Sequence, residues 1–360
     1  MRTGIANLPL HYGTCPPWLF ERMHKLSKAI IAAILVDYSS DEVLRRLADP
    51  FWFQAFGNVL GFDWHSSGIS TTVMASVKEG LRNADLGIGV AGGKGKTSCK
   101  APEQIQLLGE QFSLSDSKTG EVVYASRLSS KVDNSAVRDD YSLYMHSLVL
   151  TEKGKWTVIQ QGLNDKSQYA RRYHWLSDSV KDFVNEPHEA ICCDARGSRV
   201  LNLTAKQSKE TRSSSVDLVK DNPEHLRRYF KPKSQSTLGP FPRPAPKVKT
   251  LDMPQRINWK ALEAAYEFQP RNYEELLLTR GLGPKTVRAL ALISELIYGT
   301  EPSWSDPAKF AFAVGGKDGV PYSVNKERYD KSIQILQDAI DSAKINNKEK
   351  LEALRRLRSF

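Results

Sequence analysis

Five prolines, Pro232, Pro240, Pro242, Pro244 and Pro246, fall within KPKSQSTLGPFPRPAPKVK, and no periodic apolar pattern runs through the stretch. A proline ring fixes φ and removes the backbone donor, so neither a helix interior nor a central strand can pass through it. The 360-residue chain must therefore be assembled as blocks on either side. The reading is an α+β protein. A mixed α/β domain with a central sheet spans 1–203, a basic helical segment and Pro-rich linker span 204–250, and an all-helical domain spans 251–360.

The blocks differ in texture. PPWLFERMHKLSKAIIAAILVDYSSDEVLRRLADPFWFQAFGNVLG reads as two or three helices, with Pro17 in a first turn and Ser40 as a cap. DLGIGVAGGKGKTSCKA reads as a Gly/Lys loop, after which Pro102 opens another helix. From about 121 to 175 the runs EVVYASRL, YSLYMHSLVLT and KWTVIQQGL are β-branched and aromatic, and EKGK between the last two suits a hairpin turn.

Composition narrows the partners. The formal charge is +10 and the pI near 9.3, which favours an acidic partner, nucleic acid above all. Residues 206–249 hold eleven Lys/Arg against four acids, a solvated linker or a phosphate-contacting arm. The four cysteines, Cys15, Cys99, Cys192 and Cys193, form no CxxC pair, so no structural zinc, iron–sulfur cluster or disulfide framework is expected. The apolar run AIIAAILV is too short to span a bilayer, and a cytoplasmic protein is expected. VAGGKGKTS fails as an ATP loop because Val90 stands where the first glycine of a Walker motif belongs; neither ATP nor NAD is expected. Lys94 and Lys96 on their glycines remain candidate phosphate contacts.

The most specific local signal is LLLTRGLGPKTVRALALISELI, residues 276–297. One short helix ends, Arg280-Gly281-Leu282-Gly283 turns, and Pro284 opens a second helix that carries Lys285 and Thr286. The glycines allow a tight backbone path, and the free amides of the second helix make an anion site. This resembles a helix-hairpin-helix, here at 272–298, a motif that binds the DNA backbone without reading bases. In the bifunctional glycosylases that carry this motif the corresponding lysine is a Schiff-base nucleophile aided by an aspartate, and Asp306 lies twenty-one residues after Lys285.

Over nearly its whole length the chain also resembles the archaeal and bacterial domain-of-unknown-function family 763. The residues that carry the likeness are RTGIANLPLHYGTCPPWLFERM, DPFWFQAFGNVLGFDWHSSGIST, GIGVAGGKGK, SSKVDNSAVRDDYSLYMHSLVL, WTVIQQGLN followed by ARRYHW, and SDPAKFAFAVGGKDGVPYSVN. The resemblance implies a prokaryotic, often thermophilic source and supplies no activity.

Chemistry must come from polar residues of the first block. SRLSSKVDNSAVRDDY reads as an extended segment with Lys131 and Asp133 on one side and Asp139 and Asp140 in the loop behind. Gln160 and Gln161 then end a strand, and Tyr169, Arg171, Arg172 and His174 follow. Carboxylates, a lysine and paired arginines suit phosphodiester cleavage with Mg2+ or Mn2+ held by Asp133 and Asp139. The restriction-nuclease order is not met, since Gln160 and Gln161 stand where acids are wanted. His65 and His11 are further candidates for proton transfer or metal ligation, or are structural.

The resulting expectation is a DNA-processing protein of repair or recombination. In its first form it is a metal-dependent nuclease using Lys131, Asp133, Asp139, Gln160, Gln161 and His65. Arg280, Gly281, Gly283, Lys285, Thr286, Lys94, Lys96, Arg171 and Arg172 would then hold DNA. A lyase using Lys285 and Asp306 and a non-enzymatic DNA-binding protein are the alternatives, and a homo-oligomer is left open.

Overall fold

The computed structural model describes residues 15–62, 68–167, 169–193, 197–227, 229–230, 253–254, 256–308, 310–311, 334–335, 337–343 and 346–358. His11, His65 and the prolines of the linker lie outside them. The chain is α+β.

Four helices come first: α1 (Pro17–Asp37), α2 (Ser40–Ala48), α3 (Pro50–Val59) and α4 (Gly68–Leu81). Pro17 and Pro50 sit in first turns, and the Asp49 carboxylate caps α3 by accepting from Phe51 N at 2.9 Å. Strand β1 (Ile88–Lys94) leads through a tight turn to α5 (Ala101–Gln111) and α6 (Asp116–Lys131). A two-residue strand β2 (Val137–Arg138) precedes the meander β3 (Ser142–Thr151), β4 (Trp156–Asn164) and β5 (Tyr169–Leu176). Then come β6 (Ala190–Cys193), β7 (Leu201–Asn202), α7 (Lys209–Lys220), α8 (Pro223–Arg227), α9 (Trp259–Phe268), α10 (Tyr273–Leu278), α11 (Pro284–Tyr298) and β8 (Phe310–Ala311).

The main sheet has the order β1-β3-β4-β5-β6-β8, antiparallel except for the parallel β6–β8 pair. Alternate side chains go to opposite faces. Met145, Val149, Ile159 and Leu176 join a core with α1–α4. Leu148, Leu150, Val158, Tyr173 and Trp175 join a second core with α6, α7, α10 and α11. With both faces covered, β3 and β4 are buried at nearly every position, polar side chains such as His146, Gln160 and Gln161 included.

Three expectations are corrected. EVVYASRL is helical: Val122, Ala125, Ser126, Leu128 and Ser129 are the buried stripe of α6, and Ser115 caps it by accepting from Lys118 N at 3.2 Å. The period of burial overrides the β-branched composition. Lys131 therefore ends a helix and Asp133 lies in the π-helical turn Val132–Ala136, so the two do not share an extended segment. The Gly/Lys loop begins as an edge strand, because all seven residues of β1 pair with β3. Its glycines answer a close approach: at Gly92, with φ +87°, a Cβ would lie 2.2 Å from the His146 carbonyl oxygen.

The helices beyond the linker pack directly on the first block. Leu276, Leu282 and Leu290 share a core with Trp175 and Val216, and the Tyr124 hydroxyl donates to Glu274 Oε2 at 2.6 Å. The stretch after 251 is not all-helical, since β8 adds to the sheet edge beside β6.

Candidate functional site

Asn272 caps α10 by accepting from Glu275 N at 2.9 Å, and α10 runs only to Leu278. The chain then turns, with Leu282 N donating to Thr279 O at 3.1 Å and Gly281 at φ +81°. A Cβ on Gly281 would stand 3.0 Å from Asn258 Nδ2, the group that donates to the Gly281 carbonyl at 3.2 Å. Leu282 is 1% exposed and anchors the turn in the second core. Pro284 opens α11, and no side chain caps this terminus. Arg280, Gly281 and Lys285 are exposed. The free amides of a helix start, with two cations beside them, attract an anion.

Two expected roles change here. Thr286 is buried, and its hydroxyl accepts from Asn258 N at 3.4 Å, so it braces the hairpin from within. Lys131 donates from Nζ to the Leu282 carbonyl at 2.9 Å. It is a strut between α6 and the hairpin, and burial pulls its pKa down.

Of the expected catalytic residues, Asp133 with Gln160 and Asp139 fall into two separate buried hydrogen-bond sets. Asp133 is fully buried: Oδ2 accepts from Gln160 Nε2 at 2.6 Å and from Trp175 Nε1 at 2.9 Å, and Oδ1 meets His188 Nε2 at 2.5 Å. Gln160 Oε1 in turn meets His146 Nδ1 at 2.8 Å and accepts from Ser130 Oγ at 3.0 Å, while His146 Nε2 meets Ser126 Oγ at 2.8 Å. Burial raises the Asp133 pKa against the pull of His188, and burial pushes His146 down to about 4, so its ring is neutral.

In the second set Asp139 accepts from Arg171 Nη1 at 2.9 Å, Tyr173 Oη at 2.7 Å and Tyr141 N at 3.1 Å. Arg171 also forks onto Asp306 at 3.0 and 2.7 Å, and Asp306 accepts from Gly197 N at 2.7 Å and Ala308 N at 2.9 Å. Burial raises the Asp139 pKa, opposed by Arg171.

Strand register explains the partition. Gln160 and Gln161 are interior to β4, not at its end, and being adjacent they face opposite cores. Gln161 donates to the Tyr144 hydroxyl on the α1–α4 side. Arg172 is on that side too, donating from Nε to His174 Nε2 at 2.8 Å and from Nη1 to Gln54 Oε1 at 3.2 Å, with its guanidinium 4.7 Å from the Phe53 ring centre. Arg171 and Arg172 are thus interior residues and not part of a DNA-contacting surface.

A divalent cation at Asp133 and Asp139 would have to displace these internal donors, and the two carboxylates belong to different hydrogen-bond sets. Among the described residues, no three His, Cys, Asp or Glu side chains gather as metal ligands. Both carboxylates are already committed to protein donors. Asp306, given over to Arg171, is likewise not poised as a partner for Lys285.

Sequence reasoning missed His146, His188 and Trp175. Period-two alternation in β3 could have placed His146 on the face of Leu148, but nothing local marks His188.

Lys94 and Lys96 are exposed, at the end of β1 and in the turn that follows. Lys94 lines a groove of about 1430 Å3 between α4, β1 and α5, and Lys96 is next in sequence to Thr97 on its wall. On its wall Lys78 Nζ donates to Gly92 O at 2.6 Å and to Gln104 Oε1 at 2.7 Å, and burial lowers the lysine's pKa.

The fold is an α+β sandwich in which helices cover both faces of a largely antiparallel sheet. The chain belongs to the family described as Protein of unknown function (DUF763), whose profile matches residues 4–324. No curated protein and no solved structure matches it. Among the described residues, no helix is long and apolar enough to cross a membrane.

Proposed function

We propose that the chain is a DNA-binding protein that grips the phosphate backbone through the Thr279–Thr286 hairpin, as a helix-hairpin-helix does, without reading bases. The observation that carries this reading is the uncapped start of α11, held outward by the buried Leu282 and the left-handed Gly281 between exposed Arg280 and Lys285. Lys94 and Lys96 beside the groove offer further phosphate contacts, and the net charge of +10 supports an anionic partner.

Binding of labelled duplex and single-stranded DNA, titrated across salt, tests it. Lys285→Glu should weaken every sequence about equally, and Lys285→Ala should flatten the slope of log affinity against log salt by about 1. Salt-independent binding, or binding indifferent to both changes, would sink the proposal.

Phosphodiester cleavage by Asp133 and Asp139 with Mg2+ or Mn2+ is supported less well, because both carboxylates are buried and satisfied. Incubation with manganese or EDTA, beside Asp133→Asn, decides it: no cleavage in either condition leaves a binding protein. Borohydride trapping at an abasic site decides the lyase alternative at Lys285.

A further inference from the structure

A second cavity, of about 740 Å3, lies between α7 and the start of α10. Lys209, Arg212, Val216 and Lys220 recur at three- and four-residue intervals, so one face of α7 forms a wall, and Arg271 and Tyr273 stand opposite. With Lys206 the lining holds five cations against two carboxylates, Asp182 and Asp217, and of the five Lys206 and Arg271 pair with Glu186 and Glu275 outside it. Lys209 and Lys220 are exposed and make no ion pair among the described residues.

Two buried groups distinguish this cavity from an ordinary basic surface. Arg212 is 6% exposed and directs Nη1 at two neutral carbonyls, Leu203 O at 2.7 Å and Ala205 O at 2.9 Å; no carboxylate hydrogen-bonds to it, and Asp182 offsets its charge only from a distance. Tyr273 is also 6% exposed, lines the cavity, and its hydroxyl finds no hydrogen-bond partner among the described residues. A buried hydroxyl is ordinarily satisfied, and an unsatisfied one needs a reason. A phosphate oxygen would accept from it, within a ring of lysines.

We infer that this cavity binds a phosphate monoester on a nucleoside, either the terminal phosphate of a DNA strand or a free nucleotide. A concave site of this volume suits a ligand of nucleotide size. A monoester carries close to two negative charges at neutral pH, against one for each internal phosphodiester, and so gains more from clustered cations. Among the described residues the lining offers one aromatic ring, the buried Tyr273, so no exposed ring is there to stack on a base. The cavity is at the start of α10 and the proposed hairpin grip follows its other end, so the two readings rest on different residues.

The test uses the full chain and two probe pairs: adenosine 5′-monophosphate against adenosine, and a short single-stranded oligonucleotide with and without a 5′-phosphate. Within at least one pair the phosphorylated member should bind tenfold or more tightly. Preference within the nucleotide pair identifies a free nucleotide as sufficient, whereas preference in the oligonucleotide pair alone identifies a strand terminus. Reversing the two lysines, Lys209→Glu with Lys220→Glu, should erase the preference. Tyr273→Phe should reduce it several-fold while raising the Tm, because the change removes the unsatisfied hydroxyl. Lys285→Glu should weaken both oligonucleotides alike and leave their ratio intact, so failure of the hairpin reading is seen separately. Equal binding within both pairs, or a preference that survives either pocket change, overturns the inference.

Discussion

At the scale of single residues, a few ionisable groups, among them Asp133, Asp139, His146, Arg171 and Arg172, are held in the interior. Arg171 holds two buried carboxylates, so Arg171→Met, which leaves Asp139 and Asp306 uncompensated, should cost about 3–5 kcal/mol in urea unfolding. His146 sets a pH dependence. Its folded pKa of about 4 lies below the unfolded value near 6.5, so the unfolded chain binds the extra proton between them. Stability therefore falls as pH drops through that window, by about 3 kcal/mol for this group. Asp133, whose pKa is raised, acts in the opposite sense at the acid end. His146→Asn should flatten the slope between pH 6.5 and 4 in denaturant titrations at successive pH values. The residue types of this interior were visible in the sequence, but their partners were not. The Asp133–His188 contact joins positions 55 apart, and only the folded register brings them together.

At the scale of elements, legibility followed the range of the signal. The turn between α10 and α11 was readable because its causes are local: two glycines, a proline in the first turn and an apolar residue between them. Gly281→Ala should cost about 1–2 kcal/mol, since its φ of +81° is strained for any side chain, and should lower DNA affinity in parallel. Circular dichroism with denaturant and the DNA titration check the two effects. The strands β3 and β4 were readable as apolar runs around EKGK. Helix α6 was not, because Val122, Val123 and Tyr124 carry strand-like composition while burial follows a helical period. Gly-rich β1 was obscured for a similar reason: its glycines serve backbone proximity to β3 and leave few side chains to form a pattern.

At the scale of the whole molecule, the proline-rich stretch punctuates the sequence without marking an end to the core. Leu276, Leu282 and Leu290 pack with Val122, Leu128 and Trp175 in one cluster. Residues 1–230 and 251–360, produced as separate chains, should therefore associate when mixed, with a rise in Tm over the first alone; failure to associate would make the contacts between them incidental. The Arg171–Asp306 clasp spans 135 residues and carries a temporal consequence. A ribosome adding about 5–20 residues per second reaches Asp306 roughly 7–27 s after Arg171. Throughout that interval the guanidinium has Asp139 and the Tyr141 ring but not its second carboxylate, and β6 lacks the neighbour that β8 will supply. The nascent sheet thus lacks its sixth strand until Phe310 and Ala311 have been added, and a chaperone that shields an open strand edge has its window there.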